Sequence, residues 1–455
     1  MTGTTLEITR STDLDFVRRF AAGVRPGEPY ILNVYGIRGA GKTELMRRTF
    51  DSCRHERPTA LADVKAYFVR DDPVGYRLDE LVLGIREDFL RWEPDVSIGS
   101  TRDVAGLAQD VLNIMRVFDD DMPPLLLIDA YDQLPPGLQK VFQDLVLGPM
   151  ARVAPHSAAV LTSYHPLRFA DRLDLRMRTR PHQLDAIDED DVSGPITRLI
   201  SGAGEVADEI AEEIMEFTGG LPVLLERVIE WARERKITTP EAFRAQRGAL
   251  FGENYGKLAH QTILPEGSSE QLGTALDTLA LLRRFDVALL ARLLPRINPA
   301  QFAGFTQKNY LDLIGSLGSS VSWQPSGGYV LNDTVKNMLF HYLRAFNQPF
   351  FQKVNADTAQ VYSEWVLDSF RPHLVQELLY HRMILASTRG DDAGSTREIL
   401  TEALIEAVRR AMGHVKPADI DTLEKALTQD GDLLPYFTDP DLFDMLRRDY
   451  TGAVA

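Results

Sequence analysis

The sequence has almost no cysteine. Its single thiol, Cys53, excludes an internal disulfide and a cysteine-rich metal site, and it fits a reducing compartment. The histidines are scattered, with no HExxH pair and no His/Cys cluster, so no structural metal is expected. No apolar run approaches the ~18 residues of a membrane span. The opening MTGTTLEITRSTDLDF lacks an apolar signal core. A cytoplasmic location follows as the expectation. Positive charge is also short: 50 Lys and Arg stand against 66 Asp and Glu, a net charge of −16. That argues against the whole chain coating nucleic acid and leaves a local basic patch open. The rest is ordinary for a globular protein, with 44% apolar and 25% charged residues. The length of 455 residues suits about two to four domains.

The most informative stretch is YILNVYGIRGAGKTELMRRT, from Tyr30 to Thr49. An apolar β-prone run ends at Gly36, and a helix-prone segment begins at Lys42. Between them, Gly36-x-x-x-x-Gly41-Lys42-Thr43 has the spacing of a P-loop, the Walker A motif. Glycines let backbone N–H groups turn inward around phosphate oxygens, and the following helix presents its positive end to the same anion. Gly36, Gly39, Ala40, Gly41, Lys42, Thr43 and Glu44 are therefore the expected nucleotide-binding residues. Lys42 is expected on the β- and γ-phosphates, and Thr43 on Mg2+.

Upstream, TDLDFVRRFAAGV predicts a helix over 12–24, capped by Ser11 or Thr12. Downstream, VKAYFV predicts a second strand at Val64–Val69, and helical patterns cover Tyr76–Trp92 and Val104–Phe118. PLLLID then gives a continuous apolar run ending in Asp129, the pattern of a buried parallel strand whose C-terminal end faces ligand. Asp129 is expected to hold Mg2+. Asp132 is expected to orient or deprotonate the attacking water, with an ordinary turn aspartate as the alternative. A helix is predicted at Gly137–Met150, then a strand at Ala158–Ser163. Thr162 or Ser163 at its end could sense the γ-phosphate, or simply terminate the strand. The last strand of the sheet is expected at Gln183-Leu184. The arginines of RFADRLDLRMRTR form a solvated surface or supply one phosphate contact. Asp188–Asp191 reads as the cap and acidic first turn of a helix at Val192–Ser201.

The segment FTGGLPVLLE, Phe217 to Glu226, completes a series: a Walker A, a Walker B of the form LLLIDAYDQL, a strand ending in Thr-Ser, then GLP before a helix. This order resembles the STAND class of P-loop ATPases, which includes the AP-ATPase and NACHT groups and is related to the AAA+ ATPases. In that family the proline of the GxP motif packs on the nucleotide from a small helical lid, and Pro222 is the matching residue. A proline at the first turn of a helix is favourable in any case. The resemblance implies an ATP/ADP site with Mg2+; ATP over GTP rests on it alone.

Residues 268–345 read as three helices, a hairpin and a helix, a winged-helix pattern that STAND proteins carry after the lid. In the family's MHD-type motif a histidine contacts the β-phosphate of ADP. Here Leu331-Asn332-Asp333 stands in its place, with Asn332 at the histidine position. Tyr164 follows Thr162-Ser163 where many AP-ATPases have arginine. The third winged-helix segment has one basic residue, Lys308, so nucleic acid is not expected as a partner.

The expected fold is an α/β P-loop NTPase domain, a parallel sheet flanked by helices, followed by an all-α lid, a winged helix and a C-terminal helical domain. The boundaries are 1–187, 188–266, 267–346 and 347–455. No effector domain is expected before residue 30, and the C-terminal part is too short for a long sensor array. The function implied is an ATP-binding, Mg2+-dependent, slowly hydrolysing switch that controls a protein partner or a homo-oligomer, with no membrane role. A nucleotide-binding scaffold with negligible ATPase activity and a winged-helix regulator are the alternatives.

Overall fold

The computed structural model describes residues 10–67, 77–92, 103–169, 171–187, 204–237, 239–264, 268–325, 327–411 and 413–454. The chain divides into two compact units, Met1–Leu250 with Lys257–Ile263, and Phe251–Gly256 with Leu264–Ala455. Among the described residues, no helix is long and apolar enough to cross a membrane.

The first unit is built on a five-stranded sheet of order β2-β3-β4-β1-β5, all pairs parallel. The strands are β1 (Ile31–Tyr35), β2 (Thr59–Asp63), β3 (Leu125–Asp129), β4 (Ala158–Ser163) and β5 (Thr179–Gln183). The three central strands, β3, β4 and β1, are covered on both faces, so they read as continuous apolar runs. Leu125, Leu126, Leu127 and Ile128 have no exposed surface, each side chain contributing roughly 1.5–3 kcal/mol of burial. The helices of this part are α1 (Ser11–Ala22), α2 (Lys42–Cys53), α3 (Leu78–Leu90), α4 (Val104–Phe118), α5 (Pro136–Phe142), α6 (Gly148–Val153) and α7 (Leu173–Met177). A π-helical turn, Gln143–Leu147, joins α5 to α6. Beyond the sheet lie the helices Gly204–Thr218, Pro222–Glu234 and Pro240–Leu250.

Several elements differ from the sequence expectation. The second strand is Thr59–Asp63, upstream of the expected Val64–Val69, of which the last two residues lie outside the described set. The run VKAYFV has the stronger β propensity. The small residues of TALAD win because they lie in register with Leu125–Asp129 while α3 packs against them. Asp63 then ends the strand, its Oδ1 accepting from Lys65 N at 3.0 Å, and a 3-10 turn follows over Val64–Tyr67. The edge strand β5 starts four residues before the expected Gln183-Leu184, and its Pro181 leaves one ladder donor missing at that edge. Helix α1 begins at Ser11, and neither Ser11 nor Thr12 caps it, since Arg10 holds the N-cap position without a side-chain cap bond. The expected helix Val192–Ser201 and its acidic cap lie outside the described residues.

Among its described residues, the second unit is helical apart from one hairpin. Its helices Glu270–Ala280 and Val287–Ile297 are capped by Ser269 and Asp286. The third helix of the expected winged-helix pattern is two, Pro299–Phe302 and Gln307–Ser316. The break comes at Gly304, with φ +83°, after which Thr306 and Asn309 form a capping box. Strands β6 (Val321–Trp323) and β7 (Tyr329–Leu331) pair antiparallel, and Phe285 bridges to Tyr329. The helix Asp333–Phe346 follows, then Gln348–Asp368, Pro372–Thr388, Ala393–Arg410, Pro417–Gln429 and Pro440–Val454.

Candidate nucleotide site

Parallel order and strand register bring the C-terminal ends of β1, β3 and β4 side by side, where α/β sheets bind ligands. The P-loop leaves β1 there. Gly36 N donates to Ser163 O at 3.3 Å, and a Cβ at Gly36 would meet Leu184 O at 2.6 Å, so only glycine fits. Gly39 and Gly41 have φ of +83° and +88°, in the left-handed region, and Gly41 is the N-cap of α2. Ala40 is buried beside them, its N bonded to Ile37 O at 3.3 Å. Lys42 folds back across the loop, its Nζ donating to Gly36 O at 2.7 Å and Ile37 O at 2.9 Å. Glu44 is exposed on the first turn of α2 and pairs with Arg48 at 2.8 Å.

Thr43 Oγ1 donates to Asp129 Oδ2 at 2.7 Å, across 86 residues of chain. Asp129 is buried at the tip of β3, and Thr162 Oγ1 donates to its other oxygen. Thr162 Oγ1 also accepts from Ala130 N at 2.7 Å, holding Ala130 in a left-handed conformation at φ +57°. That bend directs the 3-10 turn Tyr131–Gln133. Asp132 Oδ2 accepts from Tyr164 N at 2.7 Å, whereas its Oδ1 is buried without a hydrogen-bond partner among the described residues. A buried carboxylate oxygen left unmatched is costly, and such atoms mark places where a ligand or water belongs. Ser163 is committed elsewhere: its Oγ donates to His165 O at 2.6 Å and accepts from Asn33 Nδ2 at 2.8 Å. His165 is exposed.

These groups line one cavity of about 410 Å3, within the range of small-molecule sites. Gly39, Gly41, Lys42, Thr43, Glu44, Asp129, Asp132, Thr162 and Tyr164 form its floor. Ile187, Pro222, Val223 and Glu226 come from the segment after the sheet. A Cβ on Gly41 would meet Pro222 Cγ at 3.4 Å and Arg10 Nε at 3.5 Å, so Pro222 lies directly over the P-loop. Gly220 permits this approach with φ +70°, and its O accepts from Ile187 N at 2.9 Å. Asn332 belongs to the second unit, where its Oδ1 accepts from Thr334 N and Val335 N as a helix N-cap.

Charge in the cavity is balanced by burial. Burial pushes the Lys42 ammonium down to about 8, opposed by Asp132 and Asp129. Burial raises the Asp132 carboxyl, opposed by the Tyr164 N–H and by Lys42. An anion binding beside Lys42 favours its charged form, so affinity is greatest below that pKa. Triphosphate affinity is expected to fall about tenfold between pH 7 and 9, as the ammonium is lost, measured by titration at constant ionic strength. An affinity that stays flat over that range would mean that Lys42 does not contact phosphate.

Sequence reasoning missed several residues of the cavity and of the frame behind it. Asn33 was visible in principle, as one amide inside the apolar run ILNVY; it is buried and braces the β4 turn through Ser163 and Leu167 N. Arg10 and Leu14 reach the cavity from α1 and its start, and Lys65 from the turn after β2. Their approach follows from tertiary packing and leaves no local pattern.

No family model matches the sequence, and no curated protein matches it. Several solved structures do. The Aeropyrum pernix Orc1 protein in complex with DNA is 14% identical, over 75% of this chain and 95% of that one, with a TM-score of 0.36. Cdc6p from Pyrobaculum aerophilum is 14% identical, over 74% of this chain and 94% of that one, with a TM-score of 0.36. Drosophila ORC bound to DNA is 12% identical, over 74% and 95%, with a TM-score of 0.36. At such identities the likeness is one of fold alone.

Two of these structures are complexes with DNA, and the expectation that nucleic acid is not a partner is withdrawn. That expectation rested on whole-chain charge and on one helix. Phosphate contacts depend on local charge instead, and the arginines at 168, 176 and 180 are exposed.

Proposed function

We propose that the chain is an ATP-binding, Mg2+-dependent switch of the STAND type. The observation that carries this reading is the convergence of Lys42, Thr43, Asp129, Asp132 and Pro222 on one cavity. The P-loop amides and the α2 N-terminus would hold the phosphates. Thr43 and Asp129 would hold Mg2+, a fit supported by two hard oxygen donors 2.7 Å apart. When bound, the ion would neutralise charge on the phosphates. Lys42 stabilises the charge that develops on the γ-phosphoryl group during in-line attack by water. Asp132 orients or deprotonates that water through the oxygen that has no partner among the described residues. Residues 188–266 serve as the lid, 267–346 as the winged helix and 347–455 as a helical arm. Release of the terminal phosphate changes what Pro222 packs against, and the lid carries that change to a partner. DNA, a second copy of the chain and other proteins are all partners to be tested.

Asp132→Asn is expected to slow phosphate release by about 10²–10³-fold while nucleotide affinity changes less than about twofold, because the amide keeps the shape and loses the basicity. Hydrolysis at the wild-type rate in that variant would remove Asp132 from the chemistry.

A second reading is a scaffold whose nucleotide is structural. Tyr164 in place of arginine favours it. Phosphate release over hours, followed together with oligomeric state in ADP and in a non-hydrolysable ATP analogue, separates the two. A switch changes state with the nucleotide; a scaffold keeps one state and releases no phosphate.

A further inference from the structure

Tyr164 has two contacts in the cavity that belong to different groups. The Lys42 ammonium lies 4.6 Å from its ring centroid, a cation–π distance. Its backbone N–H donates to Asp132 Oδ2 at 2.7 Å. The turn that carries it is rigid: Ser163 Oγ bonds His165 O at 2.6 Å, Asn33 Nδ2 bonds Ser163 Oγ at 2.8 Å, and Leu167 N bonds Asn33 Oδ1 at 2.8 Å. Lys42 spends two of its three donors on Gly36 O and Ile37 O. One N–H is left for phosphate, and the ring shields the same ammonium from water.

We propose that Tyr164 is a specificity-determining residue, which favours a nucleoside triphosphate over a diphosphate by holding Lys42 through its ring and Asp132 through its backbone. This rests on the nucleotide reading above and deepens it. The terminal phosphate is the part of the nucleotide that lies between Lys42 and the water-orienting carboxylate. Tyr164 touches both of these groups, so its ring borders that phosphate. A diphosphate ends short of the ring, and its affinity does not depend on the aromatic face. The ring supplies the effect, and the hydroxyl is dispensable. An arginine at this position would act by direct charge; an aromatic ring acts by fixing and drying the lysine.

The test compares affinities for ADP and for the β,γ-imido analogue of ATP, with Mg2+, in wild type, Tyr164→Phe, Tyr164→Leu and Tyr164→Met. Tyr164→Leu is expected to weaken analogue binding roughly fivefold, the size of an ordinary cation–π contact, with ADP affinity within about twofold. Tyr164→Phe keeps both affinities. Tyr164→Met, closer in size to the ring, should behave as leucine does, and it serves if the leucine variant does not fold. Melting curves of all four proteins check the fold. An unchanged ratio of the two affinities in the leucine or methionine variant overturns the inference, as does a phenylalanine variant that matches them. Lys42→Ala serves as the control: wild type and Lys42→Ala that both fail to bind, or bind equally, would overturn the nucleotide reading itself.

Discussion

Lys42→Ala is expected to abolish measurable nucleotide binding, with affinity reduced by at least two to three orders of magnitude. The ammonium has one N–H left for phosphate, a charge-assisted bond worth about 1.5–3 kcal/mol, and its charge adds to this from a partly buried loop. The same substitution should leave the nucleotide-free protein as stable as wild type, or more so. The pKa of Lys42 lies near 8 in the fold, against the 10.5 of an ordinary lysine. The unfolded chain therefore binds more protons between those values. The cost of the buried charge, on the order of 3 kcal/mol, is fully present below pH 8 and fades as pH rises towards 10.5. Alanine removes that cost together with the phosphate contact. Thermal melting at pH 7 checks both halves. Wild type should gain about 2.7 kcal/mol at a hundredfold excess of nucleotide over Kd, and the variant should gain nothing. A variant that is stabilised by nucleotide as wild type is would remove the P-loop from binding.

The P-loop could be read from sequence because its glycines are fixed by backbone geometry. No side chain fits at Gly36, and Gly39 and Gly41 need left-handed φ. Asp129 was legible for a related reason. A strand covered on both faces is apolar throughout, so a terminal acid stands out. Pro222 was legible through its motif, and the fold places it over Gly41. The second strand was misplaced because propensity favoured VKAYFV, while packing under α3 favoured TALAD. The unmatched oxygen of Asp132 and the ring of Tyr164 over Lys42 are properties of contact between distant strands. Local sequence carries no trace of either.

Arg283→Met is expected to destabilise the second unit by about 3–5 kcal/mol, the largest stability effect of any single change proposed here. Arg283 is mostly buried and reaches three groups at once. Its Nη2 lies 3.3 Å from Glu377 Oε1, its Nη1 lies 2.6 Å from Asp430 Oδ2, and its guanidinium stacks 4.4 Å from the Tyr380 ring centroid. Glu377 is 2% exposed and Asp430 4% by side chain, so neither can turn to water when the guanidinium is removed. Asp430 keeps Gln376 at 2.6 Å and the N–H groups of Asp432 and Leu433. Glu377 keeps only the Arg284 pair at 3.2 Å among the partners described, so it bears the larger loss. Two carboxylates left facing each other without the arginine also repel. The cluster joins the turn after the helix Glu270–Ala280 to the helices Pro372–Thr388 and Pro417–Gln429, so its loss should loosen their packing rather than one side chain. Adding Glu377→Leu removes the stranded charge and should recover most of the stability, since an ion pair replaced as a pair by apolar side chains is near neutral. Urea unfolding followed by the fluorescence of Trp323 and Trp365, in variants with Trp92 and Trp231 replaced by phenylalanine, reads this unit alone. A single variant as stable as wild type would mean that Glu377 finds another partner in the fold. A double variant no better than the single one would place the loss in packing around Tyr380 instead of in the unpaired carboxylate.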